Sequence, residues 1–394
     1  MAERHINSLP NADDYSLKDM AEAIRSRVLL AARDEPSDEA IIARTLHEAT
    51  VQSQTGHCER TFHFPCVLVS SQTPPHFSLG PVAFTTLPAF LDLKRDALNV
   101  YMSRNPHRQS ATAWTERLKS HVCGNPWIAS VTVPPCAPQV SQLRAEQTAA
   151  TAINLIRILI GAGHARDMRL AHTLSPSPST YDLLVEANDD LDIWSTHRVS
   201  GALVEDDWHT ILQSRAPEYW ARAAHLLHAC LSGRHSEMAG RVLDAVSWFG
   251  EASLETIPGT QIAKFEAALE RLSVTGPFKL HSFCSRVALL AYEREEEIEQ
   301  CYWNTFNIHL ARSRVLHGAI SPKSSVFRKS LLLAHAVTRT VLFRALEIHC
   351  LLDDSGRRST LALLQNFYTI QLSRHADLFS RLKKQLRLKQ ELYR

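Results

Sequence analysis

Leu333-Ala334-His335-Ala336-Val337-Thr338-Arg339-Thr340-Val341-Leu342-Phe343-Arg344-Ala345-Leu346-Glu347-Ile348 decides the architecture of this chain. Leu333, Val337, Val341, Ala345 and Ile348 recur three and four residues apart, so on a helix they form one unbroken apolar stripe. Such a stripe is stable in water only when partner helices cover it. Residues 208–231, 237–249, 261–272, 279–292, 295–316 and 359–392 carry the same spacing, as does the whole of 324–352, with few strand signals between them. The C-terminal half is therefore expected to be an α-helical bundle.

Upstream the pattern changes. Residues 16–50 read as helix, with Met20, Ile24 and Val28 at four-residue steps and a break at Pro36. Residues 61–69 and 77–84 are β-branched and aromatic and are punctuated by Pro65, Gly80 and Pro81, while 127–133 alternates apolar and polar side chains. These are strand signals. Residues 139–163 return to helix, and Ser175-Pro176-Ser177-Pro178-Ser179 reads as a loop or linker. The expectation is an α+β, mainly α chain: a strand-containing N-terminal α/β region over 1–170, a helical linking region over 171–235 and a helical domain over 236–394. No internal repeat of fixed period is present.

Composition narrows the function classes. The 394 residues include 43 Lys and Arg against 41 Asp and Glu, so any nucleic-acid contact must come from local patches rather than from net charge. The eight cysteines (58, 66, 123, 136, 230, 284, 301 and 350) form no CxxC pair and read as reduced, packed thiols. The N-terminus lacks the pattern of a signal peptide, and the most apolar helix is interrupted by Arg157 and too short to span a bilayer. A cytoplasmic protein with no membrane association is expected.

Chemistry concentrates at Arg312-Ser313-Arg314-Val315-Leu316-His317-Gly318. An always-charged guanidinium and an imidazole, whose charge changes near neutral pH, together can hold a phosphate and move a proton. Residues five apart on an α-helix point about 140° apart, so a site using both Arg312 and His317 needs a distorted helix end or a second copy of the helix. Gly318 is placed to end the helix, which puts His317 on its last turn. Without further context, the bland alternative is that Arg312 pairs with a carboxylate such as Glu270 while His317 merely closes the helix.

Three ordered segments carry a family resemblance. Arg241-Val242-Leu243-Asp244-Ala245-Val246-Ser247-Trp248-Phe249, then Ala267-Ala268-Leu269-Glu270-Arg271-Leu272, then Arg312-Ser313 to His317-Gly318 resemble the preceding helix, the ALExL helix and the RSxxxHG form of the R-x4-6-H signature of the HEPN superfamily, in its Apea-like abortive-infection branch. The strand-rich 62–90 segment is similar to the region that many such proteins place ahead of the helical domain. The position three before the arginine, often Tyr in this branch, is His309 here, and Ser313 stands where many catalytic members have Asn, Asp or His.

The resemblance implies a helical bundle that dimerises, with the two motifs facing each other in a composite, metal-independent ribonuclease site. Arg312, His317 and Ser313 would be its catalytic residues, with Glu270 and His309 in support. It further implies an antiphage, abortive-infection or toxin effector, held inactive until triggered and open to a regulatory partner protein; the alternative is a non-catalytic HEPN module binding a nucleotide, RNA or protein. No cofactor is expected.

RNA contact beyond the motif is expected from Arg314 and from the last helix, where Lys383, Lys384 and Arg387 accompany a Leu378, Leu382, Leu386 stripe; Arg328, Arg339 and Arg344 are candidates to extend that surface. The bland reading of the tail is a solvated helix face. His57, Cys58, His63 and Cys66 are zinc-ligand types, but His63 and Cys66 fall on opposite faces of a strand, so no metal is assigned. Gly161-Ala162-Gly163-His164 lacks the lysine of a phosphate loop and reads as a helix end.

Overall fold

The computed structural model describes residues 2–9, 11–31, 39–54, 56–104, 126–170, 180–187, 190–197, 204–354 and 360–392. The fold is α+β and mainly α, a small antiparallel sheet followed by a helical bundle. Helices α1 (Ala2–Asn7), α2 (Leu17–Ala31) and α3 (Glu39–Gln54) bury Ile6, Met20, Ala23, Ile24 and Ala49 in a small cluster of their own.

The aromatic and β-branched segments form strands β1 (Cys58–Val67), β2 (His76–Leu79), β3 (Val82–Thr86) and β4 (Trp127–Cys136), joined by the short β5 (Arg169–Leu170) in the order β2-β3-β4-β1-β5. Residues 77–84 divide into a hairpin around Gly80-Pro81. Gly80 has φ of +55°, and a Cβ there would stand 2.9 Å from the Ala224 Cα, so both the turn and a helix passing against it exclude a side chain. Between β3 and β4 lie α4 (Leu87–Leu93) and α5 (Arg95–Arg104).

Helix α6 (Pro138–Ile160) joins sheet to bundle, packing on β4 and on two later helices. Its most deeply buried cation, Arg157, is 1% exposed and donates to the Ala165, Met168 and Gly250 carbonyls and to Asn154 Oδ1. Burial, reinforced by Arg169, pushes its guanidinium down to about 9. Gly161 ends α6, in agreement with the helix-end reading of 161–164.

The region over 171–235, expected to be helical, instead contains a hairpin in which β6 (Thr180–Ala187) pairs with β7 (Asp190–His197), Leu183 opposite Trp194 and Leu184 opposite Ile193. Val185, Ile193 and Trp194 favour strands, and their signal outweighs the short helical spacing that Leu183 and Leu184 begin. The expected loop at 175–179 lies outside the described residues.

The bundle comprises α7 (Trp208–Arg215), α8 (Pro217–Ser232), α9 (Glu237–Leu254), α10 (Pro258–Ser273), α11 (Leu280–Ala291), α12 (Glu295–Leu316), α13 (Arg328–Asp354), α14 (Leu361–Arg374) and α15 (Ala376–Leu392). Two expected helices are each split, at Ala216, where Pro217 opens the next, and at His375. One hydrophobic core runs from Cys66 of β1 to Leu386 of α15, with Val337, Val341 and Ala345 of the opening stripe inside it. Helix α10 packs against α9, α12 and α13, which sets its polar edge beside the end of α12.

Candidate active site

Helix α12 begins with Glu295, Glu296 and Glu297, carboxylates placed at the positive end of the helix dipole, and buries Ile298, Cys301, Tyr302, Thr305, Phe306, Ile308 and Ala311. It stays regular to Leu316 and then stops. Gly318 takes φ of +71°, its N–H donates to Val315 O at 3.1 Å, and the Ala319 N–H donates to Arg314 O at 2.9 Å. Those two bonds are a Schellman cap, and they fix His317 as the capping residue, as the sequence indicates.

Arg312 lies one and a half turns earlier and faces α10. Its Nε is 3.8 Å from Glu266 Oε2, and a terminal nitrogen is 3.6 Å from Glu270 Oε1. Both separations are ion pairs too long for hydrogen bonds, so among the described residues the guanidinium donors remain uncommitted. The Arg312 side chain is 30% exposed. His309, one turn before, donates from Nδ1 to Glu266 Oε1 at 2.7 Å, and its ring stacks on the exposed Phe278 at 5.5 Å.

Glu266 is the residue that the sequence reading missed. It is 0% exposed and lies among the buried Ile262, Phe265, Leu269 and Leu272, the apolar face of α10. A lone carboxylate within an apolar stripe, four residues before a second one, is the signal that identifies it. Its Oε2 accepts no hydrogen bond among the described residues, so Arg312 is the cation that offsets it. Burial pushes the neighbouring Glu270 carboxyl up, against the pull of Arg312 and with the help of Glu266.

The structure thus brings Arg312, Glu270 and His309 together, adds Glu266, and leaves His317 apart. The His317 side chain is exposed and has no hydrogen bond or ion pair among the described residues. Ser313 accepts the His317 N–H through its carbonyl at 3.0 Å, while its hydroxyl orients neither partner. Arg314 is half-buried.

On α15, Leu378, Leu382 and Leu386 are buried, and Lys383, Lys384 and Arg387 point to solvent. The helix is anchored to the first half of α12: Arg381 pairs with Glu299 at 2.8 Å and Lys389 covers the Trp303 ring at 3.9 Å. Trp303 and Glu299 are nine and thirteen residues before Arg312, so these anchors lie about 14 and 20 Å down the helix from the motif. Burial, together with Lys383 and Arg387, lowers the basicity of His281, which bonds to Tyr302 at 2.9 Å. Two of the other candidates are structural. Arg339 donates to the Ile158 and Leu159 carbonyls at 2.7 and 2.6 Å, closing the end of α6, and Arg344 pairs with Glu293 and with Glu347 at 2.5 and 2.6 Å. Arg328 is exposed.

Of the zinc-type residues near the first strand, Cys66 is buried and burial raises its thiol, whereas His63 is exposed and bonds to Ser130 at 2.8 Å. They do not converge.

No protein-family model, curated protein or solved structure matches this chain.

Proposed function

We propose that the chain is a HEPN-type endoribonuclease that cleaves RNA by transesterification, acts as a homodimer and serves as a cytoplasmic antiphage or toxin effector. The observation that carries this reading is the placement of Arg312: a partly exposed guanidinium, held by two carboxylates without being hydrogen-bonded to either, one and a half turns before an exposed His317 at a capped helix end. The family resemblance of the three segments supplies the rest.

RNA brings its own nucleophile, the 2′-hydroxyl. The protein must take its proton, protonate the leaving 5′-oxygen and stabilise the crowded phosphorane between them. His317 transfers the protons, a contribution of roughly 10²–10⁴-fold. Arg312 clamps the phosphate oxygens through its planar fork, worth about 10²–10³-fold. Because the two side chains diverge on one helix, the Arg312 of one protomer works with the His317 of its partner, and Ser313 orients them only across that interface. Products carry a 2′,3′-cyclic phosphate and a 5′-hydroxyl, and DNA is resistant.

The two carboxylates act as a lock. Arg312 rests on Glu270, and a phosphate must displace that carboxylate to reach the guanidinium. This describes an effector that is silent until triggered.

The same ion pairs favour a second reading, a non-catalytic module in which Arg312 is structural. Labelled tRNA and mRNA incubated in EDTA with the wild type, Arg312→Ala and His317→Ala separate the two. The ribonuclease reading expects cleavage with cyclic-phosphate ends by the wild type or by its unlocked Glu270→Gln form, and none by the other two variants; cleavage unchanged in both of those, or none even by Glu270→Gln, leaves the binding module.

A further inference from the structure

A second cluster lies far from the motif. Helix α8 carries His225, and the last two turns of α13 carry His349 and Asp353, four residues apart and so on one face. His225 Nε2 is 3.2 Å from Asp353 Oδ2, and His349 Nε2 is 3.7 Å from the same oxygen. All three donor atoms lie within 4.8 Å of one another. His349 is fully buried, whereas the His225 side chain is 42% exposed, so the cluster has a packed floor and an open side.

The dimensions are those of a transition-metal site. Zinc binds imidazole nitrogen and carboxylate oxygen at about 2.0–2.2 Å in tetrahedral geometry, which sets neighbouring ligand atoms about 3.3–3.6 Å apart. Two edges of the triangle are already within a few tenths of an ångström of that range, and the third closes by rotation of the exposed His225. Two imidazoles and one carboxylate form a donor set suited to zinc and its neighbours, and three protein ligands leave a fourth position for water. The backbones are held in place independently: Arg222 of α8 pairs with Glu347 of α13 at 3.2 Å, and the Tyr219 and Phe343 rings meet edge to face at 4.7 Å.

We propose that His225, His349 and Asp353 hold a divalent metal ion of the zinc class that ties the end of α13 to α8. His349 is 21 residues beyond Arg328, about 31 Å along α13 from the end that adjoins the Arg312 and His317 segment. The ion is therefore a brace and takes no part in RNA chemistry. Its presence is independent of the ribonuclease reading.

The test uses the full chain, stripped with chelator, desalted and titrated with Co²⁺ as a spectroscopic probe. The expected result is one equivalent bound, with visible ligand-field bands of low-symmetry four-coordinate cobalt that Zn²⁺ abolishes. Zinc at about a hundredfold excess over its Kd raises the melting temperature by about 3 °C for a chain of this length. His225→Ala and Asp353→Asn each weaken Co²⁺ binding by at least about tenfold while the metal-free chain stays folded, since one residue is at the surface and the other substitution keeps the shape. His228→Ala, on the next turn of α8, leaves binding intact. Absence of stoichiometric Co²⁺ binding, or binding that neither His225→Ala nor Asp353→Asn weakens, overturns the proposal and leaves a hydrogen-bonded cluster.

Discussion

Replacing Glu266 by glutamine keeps the shape of the side chain and removes its charge, and the structure sets the consequence. The carboxylate accepts from His309 Nδ1 at 2.7 Å and faces Arg312 Nε at 3.8 Å. At about 4 Å and an effective dielectric near 20, opposite charges attract by about 4 kcal/mol. Arg312 is 30% exposed and keeps Glu270, so solvent and the second carboxylate reduce that to about 1–2 kcal/mol. The amide also disturbs the hydrogen bonding, because it must either turn its NH₂ toward the Arg312 donors or oblige His309 to move its proton to Nε2 and accept at Nδ1, at about 1 kcal/mol. Glu266→Gln should therefore lower stability by about 2–3 kcal/mol, read from urea denaturation. A cycle with Arg312→Leu isolates the pair and should return a coupling of about 1–2 kcal/mol. A coupling below about 0.3 kcal/mol would refute the claim that Glu266 positions Arg312.

Four further expectations follow from the same geometry. Glu270 holds its proton to higher pH when folded than when unfolded, so its contribution is fully present in acid and is lost as pH rises above its ordinary value of 4.5; urea midpoints of Glu270→Gln relative to the wild type should improve from about pH 4 to pH 7, and a constant difference contradicts this. The same substitution should increase RNA cleavage by freeing Arg312, measured as initial rate. Arg157→Met removes the guanidinium donors from three buried carbonyls, of which that of Ala165 keeps the Met168 N–H, and a loss of about 3–5 kcal/mol or of soluble yield is expected. Neutralising Lys383, Lys384 and Arg387 should reduce the slope of log affinity for single-stranded RNA against log salt by about 2, measured by filter binding; an unchanged slope makes that face a solvated surface only.

The bundle was legible because burial of a long stripe imposes its period on the residues, and Leu333 to Ile348 shows that period without interruption. The end of α12 was legible for a similar reason, since Gly318 supplies the one conformation that closes a helix with a Schellman cap. Glu266 was not, because a carboxylate in a helix ordinarily marks the wet face, and only the arrival of His309 and Arg312 from another helix makes its burial tolerable. The 180–197 hairpin escaped because short strands and helical turns share the same few apolar residues, and pairing between strands is not a local property. The divergence of Arg312 and His317, by contrast, follows from helix geometry alone.

That divergence gives the most direct test. Arg312→Ala and His317→Ala, each inactive alone on RNA, are mixed and allowed to exchange subunits. If each active site takes its arginine from one protomer and its histidine from the other, a mixed dimer contains one intact site, and statistical mixing restores about a quarter of wild-type cleavage with cyclic-phosphate ends. Variants that are folded and dimeric yet remain inactive when mixed contradict the composite site.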